Sequence, residues 1–465
     1  MKRNLKLCYS QSKSSQIQSP KDDQLQGQTI SPVALKALPL EPLREGHFSF
    51  ANLSRAEVTE FNHGLHKYPA KFIPQLVRWG LEYRSSNRSE CVLDPFCGSG
   101  TTVVEAWVRG HSAIGIDISP LAALITQAKA SSLSGQLQPN RVVDLVIQDA
   151  GTCLPKLLKR VVARDPDLGL HATWPYWFTD EAMARLLSIR EAVLGQYSKH
   201  DPDLSIFLLV CLSAISKTCS FLSEDQIKVR LDKTKTPKNP FMEFATFSAL
   251  ALAEQMSIAQ RSVESVAAAP VVHVASAACM PIASSTVDRV ITSPPYINAV
   301  DYTMTHKYNM FILGLIKPDQ FKDHCRQYIG VTERAVRSID LKCKPELNDS
   351  LIDEHIHGLW SVGTPVSRNR AYVVYQYFQG MRSAISEIWR VLAPGGRFFL
   401  ITGDNRICGR HIPTSALLAH LVSDVGFESE LRFYHHLANR SSMRLNRGET
   451  GGIVKYETIN VFYKP

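Results

Sequence analysis

The chain has 465 residues, 45% of them hydrophobic and 20% charged, and carries a formal net charge of +9. Its length exceeds one ordinary domain, and its composition is that of a globular protein, which sets fibrous and wholly disordered classes aside. The excess of base favours a polyanionic partner.

Residues 1 to 45 are rich in Ser, Gln, Lys and Pro without sustained periodicity, so they read as a flexible N-terminal arm. The opening MKRNLKLCYSQSKSS has charge but no continuous apolar stretch, so it does not read as a signal peptide. Order rises from Phe48 through the segment His66-Lys67-Tyr68-Pro69-Ala70-Lys71-Phe72, after which Pro74 opens an amphipathic helix. Cys91–Leu93 is a short strand. It runs into Asp94-Pro95-Phe96-Cys97-Gly98-Ser99-Gly100-Thr101-Thr102 and a helix that Gly110 closes. Ser112–Ile118 is a second strand ending in Asp117, and Pro120 starts the next helix. Strand, glycine loop, helix and acid-ended strand together make a half-fold that binds nucleosides, expected over residues 46–150.

The alternation then lapses. Residues 151–265 read as a helical insertion, with 3.6-residue periodicity in several segments. Its most apolar run, Ile206 to Ile215, falls short of the roughly 20 residues that a membrane span needs, so a cytoplasmic protein is expected. Strands resume at Val271–Val274 and Val287–Ile291, and the second leads into Thr292-Ser293-Pro294-Pro295-Tyr296 within a catalytic segment at 266–302. A second insertion spans 303–370. Residues 371–465 then supply a helix, the strand Arg397–Thr402, a helix near 414–424 and two terminal strands. The whole reads as one α/β core carrying two insertions.

Two constellations carry chemistry. Gly98 and Gly100 allow tight turning and close approach of backbone to a ligand, and Asp94 sits at a strand's carboxyl end, where open α/β sheets bind. The spacing is not GxGxxG and no GKT or GKS follows, which disfavours dinucleotide and P-loop sites. Asp117 stands where an acid can bind both ribose hydroxyls, or where it caps the following helix. In the second constellation, two prolines hold the backbone extended and remove two N–H donors. The Oγ of Ser293 and the carbonyl of Pro294 can then both accept hydrogen bonds from one amine, while Tyr296 offers a face for a base swung out of a duplex. No Pro-Cys dipeptide occurs, which argues against thiol attack on a ring.

The glycine loop is similar, almost letter for letter, to that of S-adenosylmethionine enzymes. With Ser-Pro-Pro-Tyr, the chain resembles the amino-methyltransferases of DNA, in the version of their cytosine-N4 branch; adenine-N6 enzymes more often carry Asp or Asn where Ser293 stands. The resemblance covers about Asn62–Lys129, Val271–Tyr302 and Tyr372–Tyr463. It implies a Rossmann-like class I core, a mixed seven-stranded sheet with helices on both faces, with S-adenosyl-L-methionine as cofactor. It further implies double-stranded DNA as partner and, where it applies, a cognate restriction endonuclease. His66 and Lys71 would approach the methionine end of the cofactor, Phe96 would wall its pocket, and Ser293, Pro294, Pro295 and Tyr296 would be catalytic. One departure stands out: where relatives tend to have Gly-Asp-Ala, this chain has Ser276-Ala277-Ala278, so a backbone amide or Ser276 would replace the usual acid at the adenine ring.

Two segments are candidates for DNA contact. Lys228, Arg230, Lys233, Lys235 and Lys238 crowd one loop-like stretch, read either as a phosphate contact or as a solvated charge run. Arg440, Arg444 and Arg447 lie among glycines and small polar residues near the C-terminus. The ten cysteines show no CxxC pair and no ligand spacing, so no metal is expected.

Overall fold

The computed structural model describes residues 33–69, 72–86, 88–133, 137–224, 229–262, 268–297, 302–330, 343–437 and 455–465. Nine strands form the main sheet: β1 Val33–Ala34, β2 His47–Ser49, β3 Cys91–Asp94, β4 Ser112–Asp117, β5 Val271–Val274, β6 Val287–Thr292, β7 Leu392–Thr402, β8 Glu428–His436 and β9 Tyr456–Tyr463. Their spatial order is β1-β2-β8-β9-β7-β6-β3-β4-β5. Only β9 runs antiparallel to its neighbours, β7 and β8. From β3 the chain moves outward to β4 and β5, then returns to the other side of β3 as β6. The strand order therefore reverses between β3 and β6, and the crevice beyond their carboxyl ends is where such sheets bind ligands.

Seven of these strands, β5 to β8 in spatial order, make the expected mixed sheet. The other two correct the reading of residues 1–45 as a flexible arm. Among the described residues of that stretch, Val33–Ala34 pairs with β2, and β2 pairs with β8. Strands of two and three residues are too short to show a period. Long-range bonds hold them: Trp79 Nε1 donates to the carbonyl of Pro39 at 3.1 Å, and Tyr434 Oη donates to Glu45 at 2.8 Å.

Period-2 alternation covers both faces. On β6 and β7, Val290, Phe398 and Leu400 enter one apolar cluster while Ile291, Phe399 and Ile401 enter another. The first is packed by helices Ser350–Trp360, Pro365–Val391 and Thr414–Asp424, the second by α1 (Pro74–Glu82) and α2 (Thr101–Trp107). Arg289, buried, ties β6 to α1, donating to Glu90 at 2.6 Å and to the carbonyls of Gly80 and Tyr83. A third cluster joins α3 (Pro120–Lys129) to a helical block of α4 (Pro139–Val162), α5 (Asp180–Tyr197), α6 (Pro202–Ser216) and α7 (Pro240–Ser262). That block begins at Pro139 rather than 151. The helix runs through Pro155 without ending there. Similarly, the helix expected near 372 starts at Pro365, behind the N-cap Thr364. Among the described residues no helix is long and apolar enough to cross a membrane.

Candidate active site

The rim beyond β3 is built on two left-handed glycines, Gly98 at φ +52° and Gly100 at φ +80°. A side chain on Gly100 would begin 2.8 Å from Thr126, and one on Gly98 would begin 3.2 Å from the ring of Tyr68. From below, the buried Lys129 donates from Nζ to the carbonyl of Ser99 at 2.8 Å, and Thr126 Oγ1 donates to that of Gly98 at 3.1 Å. Cys97 is buried in the same turn, and burial pushes its thiol well above the usual range, which leaves it unreactive.

Two carboxylates close this loop. Asp117 at the end of β4 accepts from the backbone N–H of Gly98 at 2.9 Å and from that of Ser119 at 2.8 Å. The helix cap itself falls to Ser119, whose Oγ accepts from Ala122 N–H. Asp94 is buried. Its Oδ1 accepts from Thr292 Oγ1 at 2.6 Å and from Phe96 N–H at 3.1 Å, while its Oδ2 meets no hydrogen-bond partner among the described residues. Burial raises Asp117 to about 6, and it raises Asp94 to about 7 with the neighbouring charge of Asp117 acting in the same direction. Phe96 is half-buried against the apolar cluster of the sheet.

Thr292 ends β6, so its bond to Asp94 ties the glycine rim to the Ser-Pro-Pro-Tyr turn. Pro294 is buried; Ser293, Pro295 and Tyr296 are half-buried. Among the described residues none bonds to the Oγ of Ser293 or the carbonyl of Pro294. Tyr296 Oη donates to Glu457 at 3.1 Å, and Asn405 Nδ2 holds the carbonyl of Ile297 at 3.0 Å.

The segment before β3 adds two residues. His66 is buried and its Nε2 pairs with Ser213 Oγ of α6 at 2.9 Å. A buried imidazole needs such partners, and the helical block supplies this one. Lys71 lies outside the described residues. Tyr68 stacks with both His306 (ring centroids 5.0 Å, 14°) and Tyr302 (5.8 Å, 23°), beside Gly98. Burial, with the charge of Asp117, holds both phenols above their usual range, and burial pushes His306 down to about 3. The sequence shows Tyr68 only as a member of the segment from His66 to Phe72 and gives Tyr302 no role. Nothing in the local pattern signals that the residues between them fold away to bring them together. On the far side of Asp117, Ser276 Oγ accepts from Ala278 N–H at 3.2 Å, so it stabilises its own turn beyond β5.

The basic stretch is divided. Lys235 corrects the expectation of a phosphate contact: it is 14% exposed, donates to the carbonyls of Lys217 (2.7 Å) and Leu222 (3.0 Å), and pairs with Glu224 at 2.9 Å. Its ammonium satisfies loop carbonyls that would otherwise be unpaired. Lys238 pairs with Glu243 at 3.1 Å but is 60% exposed, and Arg230 and Lys233 are exposed. Lys228, Arg440, Arg444 and Arg447 lie outside the described residues.

A mostly parallel sheet with acid-braced loops at its switch point is a Rossmann-like fold. The comparisons narrow the class. The N6/N4 family model described as DNA methylase matches residues 7–128. The type II methyltransferase M.BsoBI of Geobacillus stearothermophilus is 22% identical over 87% of this chain and 86% of its own. The type II methyltransferase M.MvaI of Kocuria varians is 23% identical over 85% of this chain and 87% of its own. A solved S-adenosylmethionine-dependent methyltransferase of Methanosarcina mazei covers 82% of this chain and 94% of its own, at 10% identity and a TM-score of 0.29. The family model and the two type II relatives support the DNA amino-methyltransferase family.

Proposed function

We propose that the chain methylates the N4 amino group of cytosine in double-stranded DNA. The observation that carries this reading is the meeting of two loops at the switch point. An amine-gripping turn follows β6, a glycine rim follows β3, and the 2.6 Å bond from Thr292 to Asp94 joins them. The rim suits S-adenosyl-L-methionine: Asp94 has a buried acceptor without a partner among the described residues, Asp117 and two left-handed glycines stand beside it, and Tyr68 backs the turn. That cofactor supplies a methyl group on a sulfonium, an electrophile carrying positive charge.

The protein's part is positioning. Ser293 Oγ and the Pro294 carbonyl take both hydrogens of one exocyclic amine, which draws the nitrogen's lone pair out of conjugation and aims it. The proline pair fixes the angle between those acceptors. Tyr296 stacks on the base once it leaves the duplex. No strong base has to act before transfer, because the proton leaves from a cationic product. The type II designation of the relatives supports a cognate restriction endonuclease as companion.

Mass spectrometry of nucleosides from duplex DNA treated with the protein and S-adenosyl-L-methionine tests the reading. N4-methylcytosine is expected. N6-methyladenine as sole product would move the activity to adenine within the same pocket, and 5-methylcytosine would overturn the mechanism.

A further inference from the structure

The phenol of Tyr296 ends in a buried polar chain. Its Oη donates to Glu457 Oε1 at 3.1 Å, and Glu457 Oε2 lies 3.1 Å from His435 Nδ1. Glu457 on β9 and His435 on β8 are directly opposed across the antiparallel pair, and each is 4% exposed. Phe50, just past β2, sets its ring edge-on to His435 at 5.2 Å. Sheet packing does not ask for a carboxylate here. An apolar cross-strand pair would satisfy it, whereas an ionised group in this place costs several kcal/mol in desolvation unless well bonded. The geometry explains what the carboxylate does: it is spent on the far tip of the ring that the proposed reaction uses as a stacking surface.

We infer that Glu457, oriented by His435, is a positioning residue that holds the ring of Tyr296 in place for the target base. The turn after β6 alone leaves the side chain's first torsion a choice among staggered wells. A hydrogen bond at the para oxygen, anchored on two neighbouring strands, selects one of them before the base arrives, and pre-set geometry of this kind lowers the barrier directly. The inference rests on the amine-methylation reading for its readout but not on which base is modified.

The test is a double-mutant cycle on the full chain, with turnover measured at saturating S-adenosyl-L-methionine on duplex DNA. Tyr296→Phe and Glu457→Ala should each lower kcat about 10-fold, and the double variant should be no slower than the slower single, because both break one bond. Cofactor affinity by calorimetry should not move. Glu457→Gln still offers an acceptor to the phenol and should keep most of the parent rate. Additive losses would overturn the inference, as would Glu457→Gln behaving like Glu457→Ala. So would a fall in cofactor affinity and melting temperature that parallels the fall in rate. Should Glu457→Ala fail to fold, Tyr296→Phe decides alone: the parent rate in that variant overturns the inference. A parent that transfers no methyl to DNA overturns the function and this role together, whereas an active parent with additive losses overturns this role alone.

Discussion

Asp94 and Asp117 are raised to about 7 and about 6, because burial disfavours the charged form of each, with the charge of Asp117 adding to the rise at Asp94. Their folded values lie above the unfolded value near 3.8, so the folded state binds more protons between the two. Stability from this source is therefore fully present below about pH 4 and declines as pH rises toward 7. Scanning calorimetry of the ligand-free protein between pH 5 and 8 should show this decline, with Asp94 contributing on the order of 1.4 kcal/mol per unit across its window. Asp94→Asn keeps an acceptor for Thr292 and Phe96 and should flatten the profile. Opposed effects from acids such as Glu105, which its partners His63 and Arg78 hold down near 2 against its burial, fall below that range. Cofactor binding should report the same rim. Asp117→Ala removes a charge and frees two backbone N–H groups, so affinity should fall at least about 10-fold by calorimetry, from hydrogen bonds worth roughly 1.5–3 kcal/mol each. Ser293→Ala, by contrast, should leave affinity alone and slow methyl transfer about 10–100-fold in single-turnover assays, a barrier change of roughly 1.4–2.8 kcal/mol.

The element most sensitive to a single methyl group is the glycine turn. Gly100→Ala forces a left-handed alanine and pushes its methyl to 2.8 Å from Thr126, so unfolding in urea should reveal a loss of about 2–4 kcal/mol. That turn was legible in the sequence because its cause is local: Cys91-Val92-Leu93 is an apolar run, and glycine alone tolerates the angles that follow. Val271–Val274 and the helix at Thr414–Asp424 were legible for the same reason, each carrying its own pattern and boundaries. Elsewhere the cause lies far along the chain. Val33–Ala34 becomes a strand only because His47–Ser49 lies beside β8. Lys235 looks like surface charge until Lys217, Leu222 and Glu224 are seen to surround it. The stack of Tyr68 with Tyr302 and His306, and the bond from Tyr296 to Glu457, join residues more than 150 positions apart. No local period encodes such meetings.

At the scale of the whole molecule, the charge of +9 should make DNA binding steeply salt-dependent. Replacing Arg230, Lys233 and Lys238 with alanine should reduce the slope of log affinity against log salt by up to about three while leaving cofactor affinity unchanged. An unchanged slope would assign that loop to ordinary surface. Lys235→Ala should act differently, lowering the melting temperature because loop carbonyls lose their donor. The hydrogen bond from Thr292 to Asp94 has a wider consequence. A cation arriving at the rim drives Asp94 toward its ionised form, and the bond it accepts becomes charge-assisted, stronger by about 1 kcal/mol. Thr292 adjoins Ser293, so the two binding events share one free energy. Linkage then requires reciprocity: whatever factor the cofactor adds to DNA affinity, about fivefold on this estimate, DNA must return to the cofactor. Titrations in both orders should give the same factor, and Thr292→Val should bring it close to one while each ligand, bound alone, keeps its own affinity.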